Sequence, residues 1–443
     1  MLFSKKDLRA LLIPLVIEQV LTGIMGIADT LMVSTVGEAA LSGVSLVDSI
    51  NQLAVYFFSS LAAGGTVVCA QYIGHGEPEK SRRAAGQVML LCGTLSVSLC
   101  VLLLPLRLPL LKLIFGRVET AVMESADIYF FITLLSYPAL ALYTACAALF
   151  RATGETRRPM YVAATADLLN VGGNALLIYV FDMGAAGAAL STLLCRIFSA
   201  AALLLLLRKP GQMLSPEYTF SLRPDRAMLR RILRIGLPNA VENGMFQFGK
   251  LAVQSTVSFL GTTAIAAQAM VVTFELFGSM PGMAIGTGLL TVAGQCMGRG
   301  DIDGTKYYIR RFTRISFLTC LGTGILLSAV IPFAVQLTGL SPEGAAITCR
   351  LIWFTCALKL LFWPPAFTLP NGLRAAGDVS FAMWVTTLSM WVLRVGMSWV
   401  LCRYTGVGLW GVWIGWCTDW MFRCICFSLR YRSNRWTNKT VLR

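Results

Sequence analysis

Charge is scarce in this sequence. Asp, Glu, Lys and Arg make up 13% of its 443 residues, while 56% are hydrophobic and the mean hydropathy is +0.70. A soluble domain of this size needs more polar surface than that, so a soluble globular protein is excluded. Histidine occurs once, as His75, which excludes multi-histidine metal chemistry. The thirteen cysteines contain no CxxC pair, and nearly all fall in apolar runs, where a free thiol behaves as a small apolar side chain. Neither disulfides nor structural zinc are expected. HExxH and GxSxG are both missing, and no Gly-Lys-Ser/Thr follows the glycines at 286, 288, 294 and 298. Those glycines read as small-residue faces for close helix approach, and a membrane-embedded enzyme is not expected. Nor is a cleavable signal peptide, because the first apolar stretch carries Glu18 and Asp29 and reads as a retained span.

What the chain has in quantity is long apolar runs. Twelve are long enough to cross about 30 Å of hydrocarbon. They cover 10–34, 45–73, 86–106, 126–150, 159–181, 187–207, 232–258, 265–297, 313–337, 347–370, 380–401 and 407–429. Unpaired backbone amides are too costly in lipid for an open sheet, so these are expected to be helices and the protein an all-α polytopic membrane protein. Lys and Arg set the orientation. With both ends inside, the inner segments hold 27 of 37 basic residues and the outer loops hold five, so both termini are expected to be cytoplasmic, in a cell inner membrane. The formal net charge of +15 follows from this inner-loop bias. It suits contact with anionic headgroups, and no nucleic-acid partner is expected.

The chain also repeats itself. "LFRATGETRRPM" at 149–160 returns as "GLRAAGDVSFAM" at 372–383, about half a chain further on, so Arg151, Gly154 and Met160 recur as Arg374, Gly377 and Met383. At nearly the same offset Pro14 and Glu18 recur as Pro238 and Glu242, and Gln71, Gly74 and Gly76 as Gln295, Gly298 and Gly300. Spans 1–6 are thus copied as spans 7–12. Six is even, so the copies are parallel and related by an axis along the membrane normal. The expected division is an N-lobe over 1–207, a basic cytoplasmic linker over 208–231 and a C-lobe over 232–443. Two such lobes predict a cleft that is exposed alternately to each side. Arg151 and Arg374 are placed to anchor span ends to headgroups, and Gly154 and Gly377 suit helix C′ positions.

"IPLVIEQVLTGIMGIADTLMVSTVGEAALSG" (13–43) resembles the first-span signature of the multidrug and toxic compound extrusion (MATE) transporters, with Pro14 followed further along the span by Asp29-Thr30. "GTTAIAAQAM" (261–270), "GQCMGRGD" (294–301) and "LRAAGD" (373–378) resemble its second-half signatures, and the resemblance covers essentially the whole chain. It implies a two-lobe antiporter exporting cationic, often aromatic compounds in exchange for H+ or Na+, with no cofactor beyond the coupling ion. In one branch of that family a first-lobe cation site is built from an Asp in span 1, an Asn and an Asp four apart in span 5, and a Thr in span 6. Asp29, Asn170 and Thr192 match, while Asn174 stands where the second carboxylate would be. The resemblance makes Asp29, Asn170, Asn174 and Thr192 the candidate ion-coupling residues and Asp29 a candidate Na+ ligand, with the missing acid tilting the site towards protons.

A charge near the bilayer centre costs roughly 2.5–3.5 kcal/mol on insertion scales. Yet Glu18, Asp29, Asp48, Asp167, Glu242, Glu275 and Asp419 fall in spans, as do Arg196, Lys250, Lys359, Arg394 and Arg423. Most must pair or face a wet cavity. Asp419 and Arg423, four apart, read as a structural pair. Glu18 and Glu242 occupy equivalent places in the two lobes. Either they attract an organic cation or they pair with Lys250, Lys359 or polar neighbours. Gln247, beside Phe246 and Met245, lines a site or packs. Lys250 either neutralises a carboxylate or signals a less cationic substrate. Glu18, Glu242, Gln247 and Lys250 are the candidate substrate contacts. The partner expected is a small cationic amphiphile bound by a monomer in lipid. The rival reading is a lipid-linked saccharide flippase, which would want a strongly cationic cleft.

Overall fold

The computed structural model describes residues 2–116, 118–209, 213–214, 223–336 and 340–442. No strand occurs among them, and each of the twelve expected spans meets a helix. The first repeat comprises α1 (Lys5–Ser34), α2 (Glu38–His75), α3 (Pro78–Phe115), α4 (Thr120–Leu135 and Tyr137–Ala152, bent by 47° between the two), α5 (Arg157–Val180) and α6 (Gly184–Leu207). The second comprises α7 (Arg226–Ser258), α8 (Thr262–Gly298), α9 (Ile302–Gln336), α10 (Pro342–Ala375), α11 (Val379–Tyr404) and α12 (Leu409–Arg432). Nine of these are long and apolar enough to cross a bilayer, ten if the bent α4 counts as one span. The remaining two, α7 and α12, are also the ones that carry Glu242 with Lys250 and Asp419 with Arg423.

The repeated Arg-Ala-x-Gly stretch is a helix stop written twice. Gly154 N–H donates to the Arg151 carbonyl at 2.9 Å and Glu155 N–H to Phe150 at 3.0 Å. Gly377 and Asp378 bond to Arg374 and Leu373 at the same two distances. Both glycines are left-handed, with φ of +88° and +97°, a conformation that costs other residues about 1–2 kcal/mol. The expectation that they are C′ residues holds.

The chain divides into two compact units, one over Lys6–Ala240, the other from Val241 onward together with the residues before Lys6. The boundary differs from the expected linker at 208–231. Asp225 Oδ1 accepts from the N–H groups of Ala227 and Met228 at 3.0 and 3.1 Å, so α7 begins at Arg226, inside the supposed linker. Its first turns then bury Met228, Ile232 and Ile235 on one face. They approach α2 so closely that a Cβ on Gly64 would lie 2.7 Å from the Ile232 carbonyl oxygen. Packing thus commits these basic turns to the N-terminal unit. The linker positions 210–212 and 215–222 lie outside the described residues.

Candidate functional site

Within the N-terminal unit, α1, α2, α4, α5 and α6 enclose a cavity of about 430 Å3. Asp29, Asp48, Asp167, Asn174, Thr192 and Arg196 all line it. Asn170 and Asn174 are one turn apart on α5, so both side chains rise on one face. Asn174 is 1% exposed, and its Nδ2 donates to Asp29 Oδ1 at 2.8 Å and to Asn170 Oδ1 at 3.4 Å. Asn170 in turn donates to Ser191 Oγ at 3.3 Å, and Ser191 Oγ donates back to the Asn170 carbonyl at 3.0 Å, tying α5 to α6. Thr192 gives its hydroxyl proton to the Ala188 carbonyl, which leaves its oxygen lone pairs available on the cavity wall. Immediately after Asn174 the helix widens into a π-helical stretch, Ala175–Val180, a distortion common at functional sites.

Of the residues carried over from the resemblance, Asn174 bonds the Asp29 carboxylate, Asn170 bonds Asn174, and Thr192 lies on the wall of the same cavity. Asn174 Oδ1 is buried and accepts no hydrogen bond among the described groups. With Asp29 it is an oxygen that a coupling cation could use, whereas the amide side of Asn174 holds the carboxylate in place. A second network lies across the same cavity. Asp48 Oδ1 accepts from Tyr129 Oη at 3.1 Å and from Asn51 Nδ2 at 3.4 Å, and Tyr137 Oη donates to Asn51 Oδ1 at 2.9 Å. Arg196 Nη1 donates to Ser136 Oγ at 2.7 Å. Sequence reasoning did not assign Tyr129, Asn51 or Arg196 to the site. The signals for this wall were the charges of Asp48 and Arg196 in apolar runs.

The candidate substrate contacts fall elsewhere. Glu18 is bound by Arg151, Nη2 to Oε1 at 2.7 Å, and Glu242 by Arg374 at 2.5 Å. Of the alternatives open for these acids the structure shows pairing, with arginines and not with Lys250 or Lys359. It also corrects the expectation for the arginines, which turn inward to the acids instead of reaching for headgroups. The reason is the helix stop, which sets each arginine at the end of the fourth helix of its repeat, beside the first helix. Lys359 is held by Glu275 Oε1 at 3.2 Å and Ser279 Oγ at 2.6 Å. Asp419 bonds Arg423, as its spacing predicted, and also Arg394. Gln247 is half-buried on α7, and Lys250 is exposed, its Nζ 5.1 Å from the Phe246 ring centroid.

A duplicated six-helix unit with an acid-lined cavity in its first copy defines a polytopic membrane transporter. The MatE family model matches residues 14–176 and 238–400, two segments that open on the repeated pair Pro14 and Pro238. The chain is 28% identical to a probable multidrug resistance protein NorM of Thermotoga maritima, covering 99% of this chain and 94% of that one. With YisQ of Bacillus subtilis, an uncharacterized transporter, it shares 26% identity over 96% and 94%. Its fold superposes with a TM-score of 0.91 on an outward-facing multidrug resistance MATE family transporter of the MOP superfamily, at 21% identity, over 97% of this chain and 95% of that one. The chain belongs to the MATE family of membrane transporters.

Proposed function

We propose that the protein is a secondary active antiporter that exports small amphiphilic organic compounds, cationic drugs among them, in exchange for H+ or Na+ by alternating access. The observation that carries this reading is the Asp29 carboxylate, held by Asn174 on the wall of a cavity large enough for water and ions. The names of the relatives, probable multidrug resistance proteins, support export as the direction. Of the four carried-over positions one holds an acid, which favours a proton over Na+ as the coupling ion. No nucleotide motif is present, so an ion gradient is the energy source. One monovalent ion moving down about 100 mV supplies about 2.3 kcal/mol, enough for a substrate gradient of somewhat under two decades. In this reading the chain acts as a monomer with both termini in the cytoplasm.

The experiment is dye efflux from proteoliposomes with imposed pH or Na+ gradients. Efflux driven by either gradient is expected. Efflux that survives collapse of both gradients but stops when ATP is removed overturns the proposal.

A further inference from the structure

The first repeat gathers acids around its cavity, whereas the second gathers bases around one aromatic ring. Around the N-terminal cavity stand Asp29, Asp48 and Asp167 against one base, Arg196. By the register that pairs Glu18 with Glu242, Lys250 takes the place of Gly26, which lines that cavity beside Asp29, and Phe246 takes the place of Thr22. In the C-terminal unit the Phe246 ring is the centre of a cation cluster. Lys250 Nζ and Arg394 Cζ are each 5.1 Å from its centroid and Arg423 Cζ is 5.6 Å away.

The anions nearby are already taken. Asp419 Oδ2 accepts from Arg394 Nη2 at 2.6 Å and Nε at 3.0 Å, while its Oδ1 accepts from Arg423 Nε at 2.7 Å. Glu275 is held by Lys359 and Ser279. Lys250 has no carboxylate within ion-pair distance among the described residues, and Arg394, 1% exposed, has an Nη1 that donates to nothing there. Aromatic faces soften repulsion between neighbouring cations but supply no counter-charge.

The side of α7 that bears Lys250 is polar. Asn243, Gln247, Lys250 and Gln254 recur at helical spacing, while the exposed Leu237, Val241, Phe248 and Leu251 occupy the other flank. A lysine on the polar flank of α7 faces water or a ligand, not lipid. We infer that Lys250 is the primary contact of a site for a carboxylate carried by an aromatic amphiphilic substrate, with the Arg394–Phe246–Arg423 cluster behind it supplying positive potential. A molecule bound at this site carries an acid and is zwitterionic or anionic. The identity of this ligand as cargo rests on the exporter reading above, whereas the site itself does not.

The test uses full-length protein in nanodiscs of zwitterionic lipid, with a rhodamine bearing a free carboxylate and its methyl ester as paired probes. Fluorescence anisotropy without any gradient should show the acid binding roughly tenfold more tightly than the ester, as one charge-assisted bond allows. Lys250→Gln should erase that preference and Lys250→Arg should keep it. Equal affinities in the native protein, or a Lys250→Gln variant that weakens both dyes alike and keeps their ratio, would overturn the inference. Gradient-driven efflux of the same dyes separates the two readings. Export without acid preference sinks this site and leaves the exporter standing; acid preference without export does the reverse.

Discussion

Glu18 on α1 accepts a hydrogen bond of 2.7 Å from Arg151 at the end of α4, and the second repeat makes the same contact between Glu242 and Arg374. Both pairs are largely shielded from solvent, with side-chain exposures between 7% and 24%. The duplicated helix stop and the duplicated acid are two halves of one device, which fixes the first helix of each repeat against the fourth.

Breaking either pair strands a charge in a poorly solvated place, at a cost of about 2 kcal/mol, between the exposed and fully buried limits. Glu18→Gln and Arg151→Ala should each lower the melting temperature of the purified protein, and the double variant should fall well short of their sum. Strictly additive losses would show that the two groups are not coupled.

Asp29→Asn should abolish gradient-driven efflux while the purified variant still binds substrate, because Asn keeps the shape and the bond to Asn174 is a hydrogen bond, not an ion pair. Asn174→Asp places a second acid beside Asp29 and should strengthen Na+ dependence, read as the Na+ concentration giving half-maximal efflux. Native-rate pumping by Asp29→Asn would falsify the role of this carboxylate in coupling.

Gly154→Ala and Gly377→Ala both force alanine into the left-handed region, at about 1–2 kcal/mol each. They should nevertheless differ. A Cβ at 377 would lie 2.2 Å from the Lys439 carbonyl oxygen, while at 154 the nearest atom is 4.0 Å away. Thermal melts should show the larger loss at 377, and equal shifts at both positions would mean that the tail contact with Lys439 contributes nothing.

Much of the fold was legible because the bilayer leaves so few choices. An apolar run long enough to span it has to be a helix, and an offset that holds almost constant over several separate motifs has to be a duplication. Asn170 and Asn174 could be placed on one face from their spacing alone. Tyr129, Asn51 and Arg196 could not, because three separate helices bring them to one wall, and no periodicity within a helix reports on its neighbours. The Glu18–Arg151 pair joins the first helix of the repeat to the end of the fourth. Its one trace in the sequence was that acid and base were copied together, which marks both as belonging to the repeated plan without saying that they touch.

The division between the compact units falls at Ala240 and Val241, yet α7 runs through it without a break from Arg226 to Ser258. A helix has no slack. Its rise is held at about 1.5 Å per residue, and it can answer a load only by bending or twisting. The built-in weak point is Pro238, which lacks the N–H that would bond the carbonyl one turn back and lies just ahead of the division. The basic turns at Arg230, Arg231 and Arg234 are therefore a handle on the same rod that carries Glu242, Phe246 and Lys250. From Arg234 to Glu242 the backbone is helix throughout, so no loop separates those basic turns from the acid.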